Sequence, residues 1–247
     1  MKGLILSGGK GTRLRPLTYT SSKQLIPIAN KPILFYGIEQ LVSCGIKDIG
    51  IVVGDSKDEI KRIVGNGQKW SANITYIHQK EPLGIAHAIK ESRDFLGDDD
   101  FLLYLGDNLL NDDLKSFIDD FNEKELDEKI LLTEVKHPEM FGVVEFKDKK
   151  IVRLIEKPKT PPSNLALCGI YIFNKNIHPI IDELKPSHRG EYEITEAIQN
   201  LFDKGYKLGY SLVKGWWKDT GKLEDLLAAN RIILDRNLKL NIKLDLD

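Results

Sequence analysis

The stretch Lys2-Gly3-Leu4-Ile5-Leu6-Ser7-Gly8-Gly9-Lys10-Gly11-Thr12-Arg13 joins a short apolar run to a glycine-rich loop. Residues 2–6 read as a parallel strand covered on both faces, and Ser7-Gly8-Gly9 as the turn that follows it. Open α/β sheets bind their ligands beyond the carboxyl ends of the strands, so chemistry is expected at this loop. Its glycines let backbone N–H groups approach an anion closely, and Lys10 and Arg13 bring positive charge. A polyphosphate suits such a loop; a purely structural turn is the plain alternative. The loop lacks the GK[ST] ending of a P-loop. Leu14 also stands where a dinucleotide fingerprint needs its third glycine, which argues against a nicotinamide-dependent oxidoreductase.

Outward from the loop, strand and helix alternate. Pro32 opens a helical stretch whose Leu34, Ile38, Leu41 and Val42 share one face, and Gly45 stops it. A strand follows at residues 48–53, a helix at 57–64, a strand at 74–78 and a helix from 84 to about 93. The run Phe101-Leu102-Leu103-Tyr104-Leu105 has the continuous apolar character of a central strand, and it breaks off at Gly106-Asp107-Asn108. This rhythm predicts an α/β fold with a doubly wound, mostly parallel sheet. From residue 129 the pattern changes to successive strands at 129–134, 142–146, 151–156 and 167–173, which predicts an antiparallel section and makes the sheet mixed. Helices at 177–184, 193–203 and 223–236 surround a last strand at 206–212. With no repeat, low-complexity tract or Pro/Gly/Ser-rich linker, residues 1–247 read as a single domain.

The 247 residues are 41% hydrophobic and 30% charged, which suits a globular chain with a sizeable core. Lys plus Arg number 36 against 37 Asp plus Glu, so the net charge of -1 offers no general attraction to nucleic acid or an anionic membrane. The first six residues are too short an apolar run for a signal peptide, and a cytoplasmic protein is expected. Cys44 and Cys168 form no CxxC pair and are expected to be reduced, mostly buried thiols. The five histidines (His78, His87, His137, His178 and His188) are dispersed and are assigned no metal role.

Beyond the loop, Lys23-Gln24-Leu25-Ile26-Pro27 and Asn30-Lys31-Pro32 follow, then Gln79 with Gly84-Ile85-Ala86, and Leu105-Gly106-Asp107-Asn108. Further on stand Phe141-Gly142-Val143-Val144-Glu145, Glu156-Lys157-Pro158, Gly169-Ile170-Tyr171, Arg189-Gly190-Glu191-Tyr192-Glu193-Ile194-Thr195 and Trp217-Lys218-Asp219-Thr220-Gly221. In order and spacing this set resembles the sugar-1-phosphate nucleotidylyltransferases, and within them the thymidylyl-transferring branch, from residue 2 to about 236.

The resemblance implies transfer of a nucleoside monophosphate from dTTP to glucose 1-phosphate, giving dTDP-glucose and pyrophosphate with Mg²⁺ as cofactor. It assigns Arg13, Lys23 and Lys157 to catalysis. Leu6, Gly8, Gly9, Gly11, Thr12, Arg13, Gln79 and Gly84 would meet the nucleotide, with Gln79 and Gly84 on the pyrimidine. Asn108, Gly142, Glu156, Lys157, Tyr171, Glu193, Thr195 and Trp217 would meet the sugar, and Asp107 and Asp219 the metal. Residues 1–128 would then serve mainly the nucleotide and 129–236 mainly the sugar, with a tail at 237–247. Such a reaction is mostly positioning and charge neutralisation, because both substrates are anions. The attacking phosphate oxygen is already anionic, so no general base is needed.

Alternatives remain. A UTP-using or broad-specificity enzyme fits the same motifs. A catalytically silent nucleotide-sugar-binding homologue would be expected to lose charged site residues, yet Arg13, Lys23, Asp107, Lys157 and Asp219 are all present. Met140 stands where some relatives carry a basic residue, with Lys157 or Arg189 as the compensating cation. The chain ends soon after Arg236, without the extra helices or β-helix of relatives, so their tetramer contacts and feedback regulation do not transfer and a homo-oligomer stays open.

Overall fold

A computed structural model describes residues 1–244 apart from Lys10 and Lys149. The strand Lys2–Ser7 lies at the centre of a nine-stranded sheet, paired in parallel with Phe101–Leu105 on one side and with Asp48–Val53 on the other. Asn73–His78 continues the parallel set outward. On the opposite flank Leu165–Phe173 runs antiparallel to Phe101–Leu105 and to Glu128–Glu134, and it meets the hairpin Gly142–Lys147 and Lys150–Glu156. Leu208–Leu212 adds to Glu128–Glu134 in parallel. The expected antiparallel section is therefore a continuation of the same sheet.

Alternation along the strands divides the core in two. Leu4, Leu103, Ile130 and Tyr171 face the helices Ile85–Glu91, Ile177–Glu183 and Ile194–Asp203. Ile5, Leu102, Tyr104, Leu131 and Ile170 face Ile33–Ser43, Lys57–Val64 and Leu114–Glu123. With both faces covered, the central strands have no polar side to show, which is why their sequences read as unbroken apolar runs. Burying each Leu or Ile in such a core contributes about 1.5–3 kcal/mol.

The helix Leu114–Glu123 was not expected. Its buried Leu114, Phe117, Ile118 and Phe121 follow helical spacing, and Asp113 caps it by accepting from the backbone N–H groups of Lys115 and Ser116 at 3.0 and 3.3 Å. Two short strands, Asn108–Asn111 and Trp216–Asp219, form a separate antiparallel ribbon, so 208–212 is not the last strand. The final helix spans Leu223–Leu244, well past Arg236, and continues through most of the expected tail. Leu226, Ala229 and Ile233 on it pack with Leu14, Ile28, Ile33 and Leu109, holding the glycine-loop region against the ribbon. No helix among the described residues is long and apolar enough to cross a membrane. Both cysteines are free, Cys168 buried and Cys44 half-buried.

Candidate active site

The glycine loop leaves the central strand and closes into a single turn, Thr12–Leu14. Gly11 has φ +61, a conformation that costs any other residue about 1–2 kcal/mol. The Lys23 side chain lies along the loop. A Cβ on Gly9 would stand 3.0 Å from Lys23 Cε, and one on Gly11 would stand 2.9 Å from Lys23 Cβ. These two glycines thus leave room for a lysine, whose ammonium ends in an ion pair with the Asp107 carboxylate. Thr18 Oγ1 donates to the Gly11 carbonyl at 2.7 Å and fixes the turn. The Leu6 carbonyl accepts from Gly106 N–H at 2.9 Å, so the loop and Asp107 leave neighbouring strand ends in register. Lys10, expected to add charge here, lies outside the described residues.

Asp107 and Asp219 come together through the ribbon. Asp219 is the cross-strand neighbour of Asn108, and the Asp107 carbonyl accepts from both Thr220 N–H at 3.1 Å and Thr220 Oγ1 at 2.6 Å. Burial, reinforced by the Asp107 charge, pushes the Asp219 carboxyl up to about 6, with Lys23 and Arg13 opposing. Two carboxylates whose charges act on one another in a half-buried place repel, and a divalent cation relieves that repulsion. Arg13 is close by: a Cβ on Gly221 would stand 2.9 Å from its Nη2 and 3.2 Å from the Asp219 carboxylate oxygens.

Across the cleft the polar groups form a chain of ion pairs. Glu156 is met by Arg189 Nη1 at 3.2 Å and Lys157 Nζ at 3.6 Å, and it accepts from Thr195 Oγ1 at 3.3 Å. Arg189 also reaches Glu193 at 3.3 Å, and Ser187 Oγ donates to Glu193 at 2.8 Å. Burial pushes the Glu156 carboxyl up, with Lys157 drawing it back down. Lys157 has φ +40, unusual for a residue with a side chain, and its N–H donates to the Phe141 carbonyl at 3.0 Å. Gly142 is hemmed in, since a Cβ there would stand 2.6 Å from Thr195 Cγ2. Asn108 Nδ2 and Trp217 Nε1 both donate to the Cys168 carbonyl, Trp217 at 2.9 Å, where Gly169 has φ +73 and the strand register shifts. Tyr171 is buried, and burial raises its hydroxyl pKa.

Near the loop, Gln79 directly follows the strand Asn73–His78, and its amide Nε2 donates to the Gly84 carbonyl at 3.3 Å. Gly84 has φ +103, and a Cβ there would stand 2.6 Å from the Tyr192 carbonyl oxygen. Tyr192 N–H in turn donates to Leu83 at 2.8 Å, which ties the two sides together.

The cleft between the sides holds about 950 Å³. Arg13, Asp107, Asn108, Gly142, Glu156, Lys157, Tyr171, Trp217 and Asp219 line it, together with Arg189. Lys23, Gly9 and Gly11 adjoin it through Asp107. Thr195 and Glu193 sit behind Glu156 and Arg189 as buried supports. Leu6, Gly8, Thr12, Gln79 and Gly84 belong to the loop side of the site, set back from the residues that line the cleft itself. Sequence reasoning missed Lys222, which lines the cleft with its Nζ 3.7 Å from Met140 Sδ. It supplies a cation beside the residue whose lack of charge was noted. Its place three residues after Asp219 was the available signal.

A family model described as nucleotidyl transferase matches residues 2–236. The chain is 48% identical over 236 residues to a Streptomyces griseus glucose-1-phosphate thymidylyltransferase, covering 95% of this chain and 66% of that protein. It is also 48% identical over 242 residues to the Haloferax volcanii low-salt glycan biosynthesis nucleotidyltransferase Agl11, covering 97% and 68%. The chain thus spans about two thirds of the length of these relatives. A third relative, the Haloferax volcanii UTP–glucose-1-phosphate uridylyltransferase AglF, is 39% identical over 228 residues, covering 91% and 93%. Among solved structures, a Bacillus anthracis protein assigned as a glucose-1-phosphate thymidylyltransferase, in complex with sucrose, superposes with a TM-score of 0.89 at 38% identity and covers 94% of each chain.

Proposed function

The chain belongs to the nucleotidyl transferase family, and from that premise we propose that it joins glucose 1-phosphate to dTTP. A phosphate oxygen of the sugar attacks the α-phosphorus, the α–β phosphoanhydride bond breaks, and dTDP-glucose and pyrophosphate result. The observation that carries this reading is the group formed by Lys23, Asp107, Asp219 and Arg13 at the junction of the glycine loop and the cleft. Cations and paired carboxylates at that junction suit a reaction between two anions whose barrier is largely electrostatic.

In this reading the loop from Gly8 to Thr12 cradles the triphosphate through backbone N–H groups. Arg13 and Lys23 neutralise it and the departing pyrophosphate. Lys157, Arg189 and Lys222 face the sugar phosphate, and Glu156, supported by Thr195, accepts from sugar hydroxyls. The Asp107 and Asp219 carboxylates are hard oxygen donors of the kind that would hold Mg²⁺. When bound, the ion would neutralise charge on the reacting phosphates. Lys23, paired with Asp107 in the structure, would then turn its charge toward the phosphates.

A uridylyl reading stands second because AglF is 39% identical and because uracil and thymine present the same hydrogen-bonding edge. Pyrophosphate release with glucose 1-phosphate, Mg²⁺ and either dTTP or UTP at equal concentration tests both readings. Faster release from dTTP is expected. A large preference for UTP would replace the thymidylyl assignment, and no release from any nucleotide would remove the enzyme.

A further inference from the structure

Gln79 is buried, and its amide nitrogen has two partners within the protein. The partners of the amide fix which end is nitrogen and which is oxygen. The Gly84 carbonyl, 3.3 Å from Nε2, can only accept, which places the amide nitrogen on that side. The second proton of that nitrogen points to His87 Nδ1 at 2.9 Å. His87 Nδ1 must therefore accept, leaving the imidazole proton on Nε2, which faces Glu91 at 3.6 Å. The ring is held in place by stacking on Tyr192, with centroids 6.0 Å apart and planes 24° from parallel. Both amide protons are thus spent within the protein. The remaining group, Gln79 Oε1, lies against the loop, 3.4 Å from where a Cβ on Gly8 would stand.

We propose that His87 is a positioning residue that fixes which end of the Gln79 amide faces the nucleotide base, and so makes this pocket a reader of a ring N–H. An amide that can only accept pairs with the N3–H of thymine or uracil. Against cytosine, whose N3 is itself an acceptor, two lone pairs meet and no hydrogen bond forms. Discrimination of this kind is large when the protein group cannot reorient. His87 is what prevents the reorientation, because Gly84 alone holds one proton at a long distance. The inference rests on the nucleotidyl transfer reading for its ligand.

The test is calorimetric titration of dTTP and of dCTP into the wild type, His87→Leu and His87→Asn, without sugar phosphate. Wild type should bind dTTP more tightly. In His87→Leu, which keeps the volume but offers no acceptor, the ratio of the two dissociation constants should fall roughly tenfold. In His87→Asn the side-chain oxygen occupies the place of Nδ1 without adding charge, and the ratio should return toward the wild-type value. Equal weakening of both nucleotides in His87→Leu, with the ratio unchanged, would show a merely structural histidine and overturn the proposal. So would an Asn variant that folds and still has the ratio of the Leu variant. Pyrophosphate release by the wild type is measured separately. Its absence would count against the enzyme while the ratio of nucleotide affinities still decides the role of His87.

Discussion

The two walls of the cleft are built on opposite principles. On the loop side, the packing depends on atoms that are missing. Gly9 and Gly11 exist so that Lys23 can lie across them, and Gly84 so that Tyr192 can press against it. On the other side, the arrangement depends on charges that are present, where Arg189 and Lys157 balance Glu156 and Glu193. An added methyl group should therefore damage the first wall and a removed charge the second, each with its own substrate affected.

The sharpest test of this contrast is at the seam. Asp107→Asn and Asp219→Asn remove charge without changing size, and turnover should fall on the order of 10²-fold or more while thermal melts stay near wild type. Wild-type turnover in both variants would remove the metal assignment. Next in size is Gly11→Ala, which strains the backbone and pushes on Lys23. KM for dTTP should rise on the order of tenfold, with stability down about 1–2 kcal/mol. Gly190→Ala is its control, since φ there is +74 but nothing lies within 4 Å of the new Cβ. It should lose similar stability in a melt and keep KM for dTTP. Arg189→Gln should raise KM for glucose 1-phosphate roughly fivefold and leave KM for dTTP unchanged, a modest effect because the pair is partly exposed and screened. A matching rise for dTTP would dissolve the distinction between the walls.

The smallest effect expected is on pH. Asp219 has its carboxyl pushed up to about 6, so below that value it increasingly holds a proton that a divalent ion must displace. Apparent affinity for Mg²⁺, followed by titration, should be about half as large at pH 6 as at pH 8. The sign follows from the direction of the shift, because a raised carboxyl loses its charge sooner as pH falls. Flat affinity over that range would separate Asp219 from the ion.

Legibility in the sequence followed burial. Lys2–Ser7, Asp48–Val53 and Phe101–Leu105 could be read because strands covered on both sides are apolar throughout, and their ends then located Gly8 and Asp107. Asn108–Asn111 and Trp216–Asp219 could not, because each is four residues long and exists only by pairing with the other. The helix Leu114–Glu123 carries both its apolar spacing and its Asp113 cap in the sequence, so it is legible from local signals alone. Lys222 is a different case. Its nearness to Asp219 hinted at the cleft, but its contact with Met140 joins positions 82 residues apart, and nothing local in either segment announces that contact. His87 is one of five dispersed histidines without metal-ligand spacing, and a partner eight residues away across a turn has no helical or strand periodicity to betray it.

The carbonyl of Cys168 accepts from Asn108 and from Trp217 at once. Both contacts cross from the ribbon, which carries Asp219 and follows directly on Asp107, to the strand Leu165–Phe173, which carries Tyr171, and both are made to backbone. Any amino acid at position 168 offers the same oxygen. The junction is therefore blind to the sequence on one of its sides, and a strand transplanted here from a related chain would find its fastening already in place, provided the bulge at Gly169 came with it.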